Sequence, residues 1–308
     1  MSKSSRVWLV TGSSRGLGLA LAHAILEAGE RLIATARDPR ALAPVVERYG
    51  DRVRAVALDV TRPEQARAAV AAAVAAFGQL DVVVNNAGYA NVNSIEDVAE
   101  ADFRAQLDTN LFGVVNVTRA ALPVLRAQRS GHIIQVSSIG GRVATAGIAA
   151  YQTAKWAVGG FSEVLAKEVA PLGIRVTVVE PGGMQTEWSG ASMRIDDIAP
   201  AYQPTVGAFA AALRGNPSAS QSDPAKVARA IVALADEPTP PLRLPLGSDA
   251  VFMAGVVASA RAAEDAAWRA VSTSTDADGV PPFADTPTAQ FLVAHQPAAT
   301  RPQRYPAE

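Results

Sequence analysis

Tyr151 and Lys155 stand four residues apart in AAYQTAKWAVGG, and the chain has only five tyrosines. Residues i and i+4 of a helix share a face, so a phenol and an ammonium would lie side by side. A tyrosine with its ordinary pKa of about 10 is a poor base at neutral pH, and bringing it near 7 takes roughly 4 kcal/mol. A unit charge ~4 Å away at an effective dielectric of ~20 supplies about that much. The pair therefore predicts proton transfer to or from an oxygen. Taken alone, it equally describes a surface pair on an exposed helix. Histidine is the usual acid–base side chain, but His23, His132 and His295 have no partner in any motif.

A second chemical signal lies in TGSSRGLG, where Gly12, Gly16 and Gly18 are spaced G-x-x-x-G-x-G. This differs from the usual dinucleotide fingerprint but shares its physics. Glycines permit a tight turn and close approach of backbone to a pyrophosphate, which rests on the N-terminus of the next helix. A plain strand–helix turn would carry the same spacing. The second strand ends in ATARD. Folds that prefer NAD place an acidic residue there to hold the ribose 2′-hydroxyl. Here Ala36 takes that place and Arg37 follows, with Arg15 in the glycine turn. Two forked, charge-assisted donors suit a 2′-phosphate, so the expected cofactor is NADP. Two solvated surface arginines are the alternative, and Asp38 beside Arg37 would neutralise it.

Positioning these groups requires a particular scaffold. Strands are predicted at Val7–Thr11, Arg31–Ala36, Val53–Leu58, Val82–Asn85, His132–Ser137 and Arg175–Glu180, with a seventh near Leu242–Leu246. Helices are predicted at about 17–28, 64–77, 102–128, 151–170 and 223–236. The alternation, with near-continuous apolar runs such as DVVVNN and IRVTVVE, predicts a doubly wound parallel α/β sheet of about seven strands with helices on both faces. One domain is expected over 1–275. Residues 187–222 break the rhythm and read as an insertion at the carboxyl end of the sheet, where ligands bind. A Pro/Ala-rich tail, 276–308, is expected to be poorly ordered or draped over the domain.

Composition narrows the classes. Nearly half of the 308 residues are hydrophobic, the net charge is −1 and the basic residues are scattered, so the basic stripe of a nucleic-acid binder is not expected. With no cysteine, disulfides, thiolate metal sites and thiol nucleophiles are excluded; no metal is expected. The longest apolar runs fall short of the ~20 residues of a membrane span, and the first apolar run is too short for a signal peptide. A cytoplasmic protein is expected.

NNAG at 85–88, Asn110 in DTNLFG, Ser138 in QVSS, Tyr151 with Lys155, and PGGMQT at 181–186 follow TGSSRGLG in order. This ordered set, over about residues 5 to 250, resembles the short-chain dehydrogenase/reductase family, with its Rossmann fold. PLRLPLGSDA more weakly resembles a branch of bacterial reductases akin to type 1 17β-hydroxysteroid dehydrogenases. Gln135, where the family often has Asn, is a minor departure. The resemblance implies that Ser138 holds the substrate oxygen, Tyr151 exchanges the proton, Lys155 also binds the nicotinamide ribose, and Asn110 anchors a relay water. It assigns Asp59 to the adenine, Asn86 and Gly88 to the adenosine pocket and Thr186 to the carboxamide. Ser14, Leu17, Val60, Ala87, Pro181 and Gly182 complete the cofactor contacts that it implies. Asn86 has a second reading, as a group that only satisfies strand-end backbone.

The expected activity is NADP-dependent hydride transfer between nicotinamide and a carbonyl or secondary alcohol, with reduction favoured. Val143, Ile148, Met184, Trp188 and the insertion suggest a medium-sized apolar substrate, although several of these side chains could equally be core. An epimerase or dehydratase of the extended branch is a rival, but its G-x-x-G-x-x-G turn is not seen. A non-catalytic NADP-binding redox sensor is another; such proteins commonly lose the tyrosine or lysine. A homodimer or homotetramer is expected, paired through the helices at about 102–128 and 151–170.

Overall fold

A computed structural model describes residues 5–184, 193–215 and 222–295. Its centre is a seven-stranded parallel sheet. The strands are β1 (Val7–Val10), β2 (Arg31–Ala36), β3 (Val53–Ala57), β4 (Val82–Asn85), β6 (Gly131–Val136), β7 (Ile174–Pro181) and β9 (Arg243–Leu246). Their order is β3-β2-β1-β4-β6-β7-β9, with Val10 in register with both Ala34 and Val84. The inner strands β1, β4 and β6 are buried at every position, which is why they are mostly apolar rather than alternating; their polar members Asn85, His132 and Gln135 are hydrogen-bonded inside.

Helices cover both faces. On one lie α1 (Gly16–Glu27), α2 (Ala43–Tyr49) and α8 (Pro224–Leu234). Leu17, Leu21 and Ile25 of α1 recur every four residues and meet Val227, Ile231 and Leu234 of α8 in one core. Asp223 caps α8 by accepting from Ala225 N, with Pro224 at its first position. On the other face lie α3 (Pro63–Phe77), α5 (Gly113–Gln128) and α6 (Ala149–Val169). They contribute Ala66, Val70, Val117, Ala121, Leu125 and Leu165 to a second core.

The single helix expected over 102–128 is broken in phase. It comprises α4 (Glu100–Leu107), a five-residue π turn at Asp108–Phe112, and α5. A π turn adds one residue to the helical repeat. The side chain of Asn110 occupies the irregularity and donates to the Gln106 carbonyl at 2.9 Å.

Several features lie outside the predicted elements, the short helix α2 among them. Two three-residue strands, β5 (Ala90–Val92) and β8 (Met193–Ile195), pair in parallel as a separate sheet. With α7 (Ala208–Gly215) they frame a third apolar cluster around Ile148, Tyr151, Met193, Val206 and Ala210. After β9 a 26-residue helix, α9 (Ser248–Thr273), continues the chain. A short helix, α10 (Pro287–Ala294), follows within the segment expected to be tail. Among the described residues, no helix is long and apolar enough to cross a membrane and no cluster of metal-ligating side chains occurs.

Candidate active site

The sheet order reverses between β1 and β4, and in open α/β sheets the ligand crevice lies at such a switch point. A cleft of about 1000 Å³ opens there. Its floor is the glycine turn. Gly12 and Gly16 have φ of +69° and +53°, a left-handed conformation that other residues adopt with strain. Gly18 is fixed by crowding: a Cβ there would lie 2.0 Å from the Gly12 carbonyl oxygen. Arg15 precedes the first turn of α1 without a side-chain cap. The N–H groups of that turn are thus left for an anion.

Of the residues singled out in the sequence, Gly12, Ser14, Arg15, Gly16, Leu17, Gly18, Arg37, Asp59, Val60, Asn86, Ala87 and Gly88 line this cleft. Ser138, Tyr151, Lys155, Pro181 and Gly182 line its other end. Thr186 and Trp188 lie outside the described residues. Asn110 stands behind the wall, fully buried. Its amide donates to Tyr89 O at 2.9 Å and accepts from Tyr89 N at 3.1 Å. Gly88 makes this possible, since a Cβ there would sit 2.5 Å from Asn110 Oδ1.

Asn86 donates to Thr11 O at 2.9 Å and Gly12 O at 3.2 Å. Its amide group therefore serves the strand-end backbone, the second of the two readings above, while the residue also lines the cleft. Asp59 accepts from Thr61 N and Thr61 Oγ1. Asp38 is bound to Arg40, whose guanidinium reaches both its oxygens at 2.8–3.1 Å. Asp38 is thus engaged by Arg40 rather than by Arg37, its partner in the alternative reading. Arg15 and Arg37 are exposed and make no ion pair among the described residues. The glycine cradle, the uncapped helix start and the two arginines fit a phosphorylated dinucleotide.

At the other end, Tyr151 and Lys155 are buried on one face of α6. Gln152 braces them by donating to Val143 O at 2.8 Å and accepting from Thr145 N at 2.9 Å, which ties the preceding loop to the helix. Ser138 hydrogen-bonds the Tyr151 hydroxyl, and its Oγ accepts from Gly140 N at 3.0 Å. Lys155 Nζ donates to Val136 O at 2.8 Å and sits 5.5 Å from the centre of the tyrosine ring.

The expected lowering of the Tyr151 pKa by Lys155 is corrected here. Burial dominates and pushes the phenol up to about 12, with the Ser138 hydrogen bond opposing it. The same burial pushes Lys155 down to about 8. The cost of stripping water from a phenolate outweighs the attraction of the neighbouring ammonium. Tyr151 therefore holds its proton at neutral pH.

The lysine shift has a consequence for stability. An unfolded chain keeps this proton to near the ordinary 10.5, whereas the folded one releases it near 8. Between those values the unfolded state binds more protons, so stability rises with pH across that window. Lys155→Met removes the titrating group. Its gain in Tm over wild type is expected to be largest below pH 8 and to fade toward pH 10.5. Thermal unfolding of the cofactor-free protein across that range checks this; a gain independent of pH would remove the buried ammonium as its source.

Beneath the site, Glu180 at the end of β7 is fully buried between two arginines. Arg243 Nη1 lies at 2.8 Å and Arg142 Nε at 2.7 Å, the latter out of line for a hydrogen bond. Sequence reasoning passed over this group, and also Tyr89 and Asn91, which line the cleft together with Met193, Arg194 and Leu213 of the 187–222 insertion expected there. Arg194 is held by Asp196 at 2.6 Å and lies 3.5 Å from Asp102. Asp102 also accepts from Asn91 at 2.7 Å, so the β5–β8 sheet hangs on α4. Val143, expected in the pocket, does not line it, whereas Met184 does and Ile148 packs against Tyr151 from the apolar cluster. The histidines stay apart: His132 is buried in β6 against Thr177 Oγ1, His23 faces Tyr49, and His295 follows α10.

Known proteins resemble this chain in sequence and fold. Residues 6–194 match the model of the short chain dehydrogenase family. The chain is 52% identical over 272 residues to Oxidoreductase BOA17 of Botryotinia fuckeliana, covering 88% of this chain and 99% of that protein. A short-chain dehydrogenase from Streptomyces avermitilis superposes with a TM-score of 0.84 at 41% identity, covering 90% of this chain and all of the other. An alcohol dehydrogenase from the archaeon Thermococcus sibiricus, solved with 5-hydroxy-NADP, gives 0.67 at 25% identity, covering 80% and 97%. The chain is an oxidoreductase of the short-chain dehydrogenase family, whose members bind a nicotinamide cofactor.

Proposed function

We propose that this oxidoreductase is an NADP-dependent carbonyl reductase acting on small to medium apolar ketones or aldehydes. The observation that carries the reading is the Ser138–Tyr151–Lys155 group, with the tyrosine and lysine buried, at one end of a cleft whose other end carries Arg15 and Arg37. NADPH, when bound, supplies the hydride. Ser138 and the Tyr151 hydroxyl are hydrogen-bonded to each other and would share the substrate oxygen. Tyr151 then passes its proton to that oxygen, a role suited to a phenol that is protonated at neutral pH. Lys155 holds a positive charge beside the ring, which opposes the cost of the phenolate left behind. The apolar cluster of Ile148, Met193 and Val206 around Tyr151 favours an uncharged substrate. The Thermococcus sibiricus enzyme, solved with an NADP derivative, lends support to the cofactor.

NADPH consumption against ketones, aldehydes and sugar nucleotides tests the activity. Turnover of sugar nucleotides alone would point to the extended branch, and no turnover of any to a redox sensor. For the cofactor, Arg37 with Arg15 should give NADPH a preference of about ten- to a few-hundredfold in kcat/KM. Each hydrogen bond to a charged group contributes roughly 1.5–3 kcal/mol, lessened here by exposure. The preference should shrink as salt rises. Ala36→Asp with Arg37→Ile should reverse it. Equal use of NADH and NADPH by the wild type at low salt would overturn the NADP assignment.

A further inference from the structure

Glu180 takes no part in the proton or hydride steps. Its side chain is fully buried, whereas those of Arg142 and Arg243 retain 28% and 22% exposure. Burial pushes the carboxyl up, and the two guanidiniums pull it down. A buried ion pair costs desolvation, and apolar replacements are often neutral or stabilising. Stability alone therefore does not account for a carboxylate at this strand end. Its place in the fold does.

Three parts of the site converge on Glu180. It directly precedes Pro181 and Gly182, which line the cleft, and Pro181 O lies 3.5 Å from Ser138 Oγ. Arg243 links it to α6. That guanidinium donates to Glu180 Oε1 at 2.8 Å and to Glu163 Oε1 at 2.7 Å. A Cβ at Gly159, one turn beyond Lys155, would overlap Arg243 Nη2. Arg142 links it to Ser138. These two residues flank one 3₁₀ turn, Ile139–Gly141. Ser138 Oγ accepts from Gly140 N at one end, and Arg142 N donates to Ile139 O at the other. The turn lies on α6, since a Cβ at Gly141 would come within 2.9 Å of Lys155 O.

The two arginine contacts differ in kind. Arg243 makes a hydrogen bond with good geometry. Arg142 Nε is at ion-pair distance, yet neither it nor Glu180 Oε2 has a hydrogen-bond partner. The hold on Arg142 is therefore one of charge.

We propose that Glu180 is a positioning residue for Ser138: through Arg142 it fixes the turn that sets where the serine hydroxyl meets the substrate oxygen. The catalytic half of this role rests on the reductase reading above; the link from Glu180 to the turn does not. Gln152 holds the following loop at Val143 O and Thr145 N, and Arg261 donates to Arg142 O. Loss of the charge link should thus loosen the turn without unfolding the loop.

Glu180→Gln keeps the shape and an acceptor for Arg243 but turns a donor toward Arg142. Hydrogen–deuterium exchange of the cofactor-free protein reads the link without turnover. Amides of 139–147 should exchange about tenfold faster in Glu180→Gln and in Arg142→Leu, while those of α3 keep wild-type rates. Turnover is the second readout, with any carbonyl that the wild type reduces. In either variant kcat should fall about 10- to 100-fold, the scale of a small misplacement in a positioned site. Cofactor affinity should hold, since the glycine cradle is untouched. The double variant should be no worse than the single ones, because both break one link. Arg142→Lys, which keeps the charge, should recover most of both effects. Unchanged exchange at 139–147, exchange raised alike throughout the fold, or additive losses in kcat would overturn the link. A loosened turn with wild-type kcat would overturn the positioning role. A wild type that reduces nothing would instead sink the reductase reading, and the exchange rates alone would decide the link.

Discussion

Tyr151→Phe should abolish nearly all turnover while leaving cofactor affinity unchanged. The ring is 7% exposed and packs with Ala90, Ile148 and Met193, contacts that phenylalanine keeps. Only the hydroxyl, its hydrogen bond to Ser138 and its proton are lost. An acid–base group contributes typically ~10²–10⁴-fold, and kcat should fall by that much. Steady-state kinetics with NADPH and any substrate turned over by the wild type, paired with a cofactor titration, separates the two quantities. A variant that keeps more than about a tenth of the wild-type kcat would remove Tyr151 as the proton donor. Direction offers a second check. A phenol pushed up to about 12 is ready to give a proton at neutral pH but reluctant to take one. Alcohol oxidation should therefore gain from rising pH far more than carbonyl reduction does.

The second large effect is expected at Gly18. Its hydrogen faces the Gly12 carbonyl, and a methyl group there would meet that oxygen at 2.0 Å and Asn86 Nδ2 at 2.7 Å. Neither can yield easily, because Asn86 is itself bonded to Thr11 O and Gly12 O. Gly18→Ala must therefore push α1 away from the turn. Overpacking of this kind costs about 1–3 kcal/mol, a fall of several degrees in Tm. The greater loss should be in cofactor affinity, since the displaced backbone is the dinucleotide cradle; about 100-fold is expected, because a displacement near 1 Å costs that much in positioned sites. Calorimetric titration with NADPH and a thermal melt measure both. Gly255→Ala is the control: no atom lies within 4 Å of its Cβ and it sits in α9. It should be neutral or stabilising by up to ~1 kcal/mol from helix propensity. Equal effects at the two glycines would mean that the turn is not tightly packed.

What could be read from residues alone divides along a physical line. The seven-stranded sheet was legible because buried parallel strands leave short β-branched runs between helical ones, and all seven predicted strands are present within a few residues. The glycine turn and the Tyr151–Lys155 pair were legible because backbone clearance and helical spacing are local properties. Where the outcome depended on distant groups, local reading failed. The Tyr151 shift follows from burial by β5, β8 and Val206, which no spacing reveals. Asp38 is taken by Arg40 rather than Arg37 because the chain turns at Pro39. Glu180 sits in an ordinary strand sequence, and its arginines come from 38 residues upstream and 63 downstream. Strands β5 and β8 are three residues each, too short for any period. Helix α9 did carry a signal, the recurrence of Met253, Val257, Trp268 and Val271. It was masked because alanines fill many of the intervening positions and the charged Arg261 and Glu264 interrupt the recurrence.

The π turn at Asp108–Phe112 joins two jobs that other helices keep separate. Below it, α5 is bolted into the core by Val117, Ala121 and Leu125; above it, α4 carries Asp102, from which β5 and β8 are suspended. One extra residue offsets the azimuth of α4 by about 100° relative to a regular helix. Deleting Thr109 would restore a seamless spiral and swing Asp102 a quarter-turn or more away from Asn91 and Arg194. The cover of the substrate end is thus indexed to the catalytic wall by a single residue's worth of phase. Selectivity can therefore drift through changes in the cover itself, while insertions or deletions anywhere between Glu100 and Gly113 would uncouple it from the chemistry.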